Sequence, residues 1–138
     1  MSSKNNHNKN LGSNIERTND RISETGEVFT PPEVIQKLLS DIPEEVLKNP
    51  ESKFLDNSAG NGNFIVELKK TLIKYHSEEH VVENMLYAVE LMEDNHKELC
   101  QRVGVSTTHP HYVNTDALTY HYRFDGTIGP LTLDHFFN

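Results

Sequence analysis

Along the 138-residue chain the spacing of apolar side chains changes near residue 23. Before it Ser, Asn and Lys dominate, with Leu11 and Ile15 as the apolar candidates, and residues 1–22 read as a flexible N-terminal arm. After it, "GEVFTPPEVIQKLL" is regular. Thr30 can cap a helix, Pro31 suits its first position, and Glu33 completes a T-x-x-E capping box. Val34, Ile35, Leu38 and Leu39 then share one helical face. A connection containing Pro and Glu leads to a short strand, Lys53 to Asp56, a glycine-containing loop, and a helix from about Gly62. Ile65, Leu68 and Leu72 form that helix's inner stripe, with Lys69, Lys70 and Lys74 mostly outside. The nearly continuous apolar run Met85 to Glu90 predicts a strand covered on both faces. Glu93 to Val103 predicts a helix with Leu99, Cys100 and Val103 inward, and Tyr112 to Asn114 a weaker strand. This alternation predicts an α/β domain over residues 23–138, a parallel sheet in a three-layer sandwich with helices on its faces.

Composition narrows the function classes. Thirteen Lys and Arg stand against 21 Asp and Glu, giving a formal charge of −8. Phosphate contacts need clustered Lys and Arg, so this balance predicts weak or no DNA binding by the chain alone. The single cysteine, Cys100, allows no internal disulfide. No apolar stretch approaches the ~18 residues of a membrane span. Met1 to Asn10 lacks the apolar core of a signal peptide, and a cytoplasmic location is the expectation.

The candidate chemistry centres on "FLDNSAGNGNF", Phe54 to Phe64. In a parallel sheet, ligands sit at the carboxyl ends of the strands, where the first βα turn meets a helix N-terminus. Gly60 and Gly62 fall at that turn, where glycine permits positive φ and close backbone approach, and Asp56 ends the strand. The loop lacks the G-x-G-x-x-G of a dinucleotide site, because Ile65 stands where the third glycine belongs, and it lacks the G-K-[ST] of a phosphate loop. The second strand ends at Glu90, where a carboxylate accepts hydrogen bonds from ribose hydroxyls. A nucleoside ligand without phosphates fits these features. Each alone also admits a plainer reading, a tight βα turn and a helix-capping carboxylate.

Together these segments resemble the S-adenosylmethionine-dependent N6-adenine DNA methyltransferases of type I and related restriction-modification systems. The resemblance runs from Gly26 to Leu118 through four motifs in the family's order. "GEVFTPPEVIQKLL" resembles the motif preceding the sheet, which implies that Phe29, Thr30 and Pro31 line the methionine end of the cofactor. "FLDNSAGNGNF" is similar to the family's Asp-Pro-x-x-Gly-x-Gly-x-Phe loop and places Asp56, Ser58, Ala59, Gly60, Gly62 and Phe64 in the site. "YAVELMEDNHKEL" resembles the second-strand motif, which implies Glu90 on the ribose and Leu91 packed on adenine. "NTDALTY" resembles the third, with Asp116 on the adenine amino group and Ala117 or Leu118 at its edge.

Two departures shape what the resemblance implies. Asn57 stands where the family has proline. The Asn-Pro-Pro-aromatic tetrapeptide that grips the flipped adenine is absent from these residues, so no catalytic residue is assigned and the chain alone is expected to be inactive. Two registers could place the tetrapeptide's remnant. "FDGTIGPL" resembles a decayed version; "LDHFFN", better strand material, resembles the strand that enters it, which implies the N-terminal portion of a methyltransferase, a Rossmann-like cofactor-binding domain with an incomplete sheet. The other reading is an inactive methyltransferase-like assembly protein that binds cofactor or docks on a methylase or restriction subunit. An incomplete sheet leaves a C-terminal strand edge open to a protein partner.

Other patterns carry no assigned chemistry. "HSEEH", His76 to His80, satisfies the H-x-x-E-H form of some zinc peptidases but falls at a helix end without a clear further ligand, and no metal site is assigned. His109 and His111 read as surface loop residues, Cys100 as core, and Tyr112, Tyr120 and Tyr122 as strand packing rather than a base-stacking surface.

Overall fold

A computed structural model of the chain describes residues 29–125 and 127. The expected arm 1–22 and the segment "LDHFFN" lie outside the described residues, as does most of "FDGTIGPL". Helix α1 spans Pro32–Ser40. A residue preceding proline is driven to extended backbone, and Pro31 accordingly has φ −67° and ψ 155° as the residue before the helix. Pro32, not Pro31, therefore occupies the first turn, and the capping box expected from Thr30 and Glu33 gives way to an end without a side-chain cap. The apolar face is also narrower than expected: Ile35 and Leu39 are buried, whereas Val34 and Leu38 remain 43% and 46% exposed.

The connection that follows folds into α2, Glu44–Lys48, which buries Leu47. Strand β1 is Phe54–Asp56 and helix α3 is Asn63–Leu72, with Ile65, Leu68 and Leu72 wholly buried. Lys69 does not point outward as expected. Its ammonium donates to the Val103 carbonyl at 2.9 Å and pairs with Glu78 at 2.8 Å. A short helix α4, Glu78–His80, capped by Ser77, runs into one π-helical turn, Val81–Met85. Met85 thus precedes strand β2, Leu86–Glu90. Helix α5, Glu93–Val103, and strand β3, Tyr112–Asn114, match the expected bounds.

The strands form one parallel sheet in the order β1-β2-β3, with Asp56 opposite Ala88 and Glu90 opposite Asn114. Right-handed crossovers that step in one direction across a sheet deliver their helices to one face. One apolar core accordingly joins Ile35 of α1, Ile65 and Leu68 of α3, and Leu99 and Val103 of α5 to Leu86, Ala88 and Tyr112 of the sheet. Alternation along the strands sends Leu55, Tyr87 and Val89 to the other face. There Tyr87 stacks on His111 at 4.4 Å between ring centroids and meets Phe124 at 5.0 Å, and Phe124 packs with Tyr120 and Tyr122.

The described residues therefore make an α/β fold, a parallel three-stranded sheet with helices on one face and an aromatic segment against the other; the second helical layer of the expected three-layer sandwich is not seen among the described residues. A helix on the second face requires the chain to reverse direction across the sheet beyond β1, and no described strand does so. Tyr120 and Tyr122 belong to this aromatic segment and not to a strand, while Tyr112 is buried in β3 and donates to the Val82 carbonyl at 2.8 Å.

The histidines are more embedded than their sequence context implied. His76 and His80 follow the exposed end of α3, and each donates Nε2–H to a backbone carbonyl, Leu47 and Pro50, at 2.8 Å, pinning the connection between α2 and β1. His109 is bonded to Glu83 at 2.9 Å with its side chain 14% exposed, and burial together with nearby His109 holds the pKa of His111 below its ordinary value. Among the described residues no helix is long and apolar enough to cross a membrane.

Candidate functional site

The carboxyl ends of β1 and β2 lie side by side, and the loop after β1 folds back over the end of β2. The Asp56 carboxylate accepts from the Ser58 amide at 3.0 Å, which starts the turn, and the Ala59 amide donates to the Val89 carbonyl at 3.1 Å. Gly62 N–H then closes the turn on the Ala59 carbonyl at 2.9 Å. Both loop glycines have positive φ, 58° at Gly60 and 94° at Gly62, and α3 begins immediately afterwards at Asn63. Each serves a different approach. A Cβ on Gly60 would stand 3.4 Å from the Phe29 ring, and one on Gly62 only 2.8 Å from Leu99 Cδ1. Gly60 thus seats Phe29 on the loop, and Gly62 lets α5 pack against it.

Glu90 ties this loop to the second strand. Its Oε1 accepts from the Gly60 amide at 2.7 Å; Oε2 accepts from the Met92 amide at 3.0 Å and from Asn95 Nδ2 at 3.3 Å. A carboxylate has about four acceptor positions, so one is left on a group only 7% exposed. Burial raises the pKa of Asp56 above its ordinary 3.8, with the Glu90 charge acting in the same direction and the Ser58 bond against it. Leu91, next after β2, is 54% exposed.

The third segment joins the same end of the sheet. Thr115 N–H donates to the Glu90 carbonyl at 3.1 Å, and Asn114 Nδ2 bridges the carbonyls of Glu90 and Leu91 at 2.9 and 3.0 Å. Asp116 turns the chain by accepting from the Leu118 amide at 2.9 Å, leaving Leu118 44% exposed. The Tyr122 hydroxyl donates to the Ala117 carbonyl at 2.7 Å and is bonded to Asn57, so it links the loop to the Asp116 turn. Of the segment before α1, Phe29 reaches the loop; Thr30 is half-buried and Pro31 exposed. Phe64 is half-buried against the core.

Sequence reasoning missed the polar groups behind the loop. Asn61 is 1% exposed; its Nδ2 donates to Glu98 Oε2 at 3.3 Å. Arg102 Nη1 donates to the Asn61 carbonyl at 3.1 Å and to Asn63 Oδ1 at 2.8 Å. Asn95, Glu98 and Arg102 recur at helical spacing on α5, a polar stripe beside Leu99 and Val103 that was the available signal.

Comparison with curated proteins finds no match. Comparison with protein families matches residues 15–103 to the N-6 DNA Methylase family. That span takes in α1, the glycine loop, Glu90 and α5, and ends before the Asp116 segment. On this match, which covers more than half of its residues, the chain belongs to the N-6 DNA methylase family.

Proposed function

We propose that this chain binds S-adenosylmethionine at the end of its sheet and is the cofactor-binding portion of a DNA adenine-N6 methyltransferase. The observation that carries the reading is the 2.7 Å bond from Gly60 N–H to the Glu90 carboxylate, which brings the glycine loop and the second-strand acid into one wall. In this reading the remaining acceptor position of Glu90 takes a ribose hydroxyl, and exposed Leu91 packs on adenine. Asp116 accepts from the adenine amino group, with Ala117 and Leu118 at the ring edge. Phe29, Thr30 and Pro31 flank the methionine end against Gly60. Ser58, Ala59, Gly62 and Phe64 shape the loop. The paired negative groups Asp56 and Glu90 favour a ligand that carries a sulfonium and an ammonium charge.

When bound, the cofactor supplies an electrophilic sulfonium methyl, and the work of these residues is to position it. The 138 residues hold no Asn-Pro-Pro-aromatic tetrapeptide, so gripping of the target base is not assigned to them. That same sequence feature favours a second reading, a non-catalytic assembly protein that uses the pocket only to bind. A methylation assay with tritiated cofactor and DNA separates the two. The first reading predicts transfer once the base-gripping residues are supplied, lost in Asp56→Ala; persistent inactivity with cofactor bound supports the second.

A further inference from the structure

We propose that Glu98 and Arg102 of α5 form a polar bracket that sets the geometry of the glycine loop, making Arg102 a positioning residue for cofactor binding although it lies behind the loop. The inference rests on the cofactor reading above.

The Asn61–Gly62 peptide is planar and trans, so its carbonyl and N–H point in opposite directions. Arg102 holds the carbonyl at 3.1 Å, which aims the Gly62 N–H at the Ala59 carbonyl, where it closes the turn at 2.9 Å. The same guanidinium nitrogen holds Asn63 Oδ1 at 2.8 Å, at the first residue of α3. Glu98 takes the Asn61 carboxamide at 3.3 Å. The stretch Asn61–Asn63 is thereby fixed at its backbone and at both asparagine side chains.

Stability alone does not account for this choice of residues. Apolar packing of similar volume commonly stabilises as well as or better than a buried charged network, whereas directional bonds to an ionised group fix geometry. The network also leaves Asn61 Oδ1 buried without a partner among the described residues, a cost that an apolar contact would avoid. Gly62, with φ 94° and α5 close behind it, can take other backbone conformations unless something holds the flanking peptide. Arg102 does so through the Asn61 carbonyl.

Calorimetry of the 138-residue chain with S-adenosylhomocysteine, paired with hydrogen exchange at the Gly62 amide, tests the bracket. Arg102→Met should weaken binding at least about tenfold and speed Gly62 exchange, and Arg102→Lys, which keeps one charged donor, should recover part of both. Equal affinity in wild type and folded Arg102→Met overturns the proposal. If wild type itself shows no binding, the cofactor reading fails, and unchanged Gly62 exchange in Arg102→Met then overturns the bracket separately. Should Arg102→Met not fold, Asn63→Ala removes one acceptor only; it should weaken binding by roughly threefold or more, and no change counts against the bracket.

Discussion

Glu90 and Gly60, separated by thirty residues, meet through a 2.7 Å hydrogen bond that makes the end of β2 the seat of the loop that follows β1. The acid therefore has a structural duty alongside its proposed ligand. Glu90→Ala removes the acceptor of three donors, Gly60 N–H, Met92 N–H and Asn95 Nδ2, and strands the two backbone amides, at about 1–3 kcal/mol for each buried group left unmet. Glu90→Gln offers an acceptor to Gly60 but turns an NH₂ toward the donors of Met92 and Asn95. Both variants should lower Tm, with Glu90→Gln giving no full rescue, and both should bind S-adenosylhomocysteine at least about tenfold more weakly. Thermal unfolding and calorimetry measure the two effects on the same samples.

The two loop glycines should respond unequally. At Gly60 an alanine meets ordinary van der Waals distance to Phe29, and the left-handed backbone costs about 1 kcal/mol. At Gly62 the added methyl falls 2.8 Å from Leu99 Cδ1 with φ at 94°, so strain and overpacking combine to roughly 2–4 kcal/mol. Denaturant unfolding should rank Gly62→Ala clearly below Gly60→Ala; the reverse order would contradict the packing of α5 on this loop.

Asp56 should trade stability for function. Its pKa is raised in the folded protein, chiefly by burial, so its ionised form is disfavoured there. The sign follows from linkage: the contribution to stability is full below the ordinary pKa of 3.8 and is lost as pH rises through the higher folded value. Asp56→Asn retains an oxygen for the Ser58 amide and removes the charge. At pH 7 it should unfold at a higher temperature than wild type, with the advantage shrinking toward pH 4, while binding cofactor more weakly. Melting curves across that range check the stability half.

Cys100 should be chemically silent in the native state. It is 1% exposed, and burial pushes its pKa up to about 11, so little thiolate forms near neutral pH. A disulfide reagent at pH 7.5 should label the unfolded protein and leave the native one untouched; rapid native labelling would contradict the packing of Leu99, Cys100 and Val103.

The pattern of apolar residues was enough to place β1, α3, β2, α5 and β3, because each carries a stripe or run whose period matches its structure. It failed at α1 for a local reason: Pro32 excludes Pro31 from the helix, a constraint that outweighs the T-x-x-E match. It missed α2 and the π turn at Val81–Met85 because segments this short present too few apolar positions to show a period. Asp56 and Glu90 stood out by their places at strand ends and Gly60 by the turn after β1, and the structure brings these segments together. Glu98 and Arg102 did not, since polar residues on a helix read as solvent-facing until a buried loop is known to lie against them, and Asn61 read as part of an open turn. The second face of the sheet was likewise out of reach, because what covers Tyr87 depends on rings at His111 and Phe124 that no periodicity links.

The most direct test of the central claim is titration calorimetry of the folded chain with S-adenosylhomocysteine. Saturable binding is expected, and Glu90→Ala should weaken it at least about tenfold. No heat of binding in a folded wild-type sample, or binding equally tight in Glu90→Ala, would contradict it.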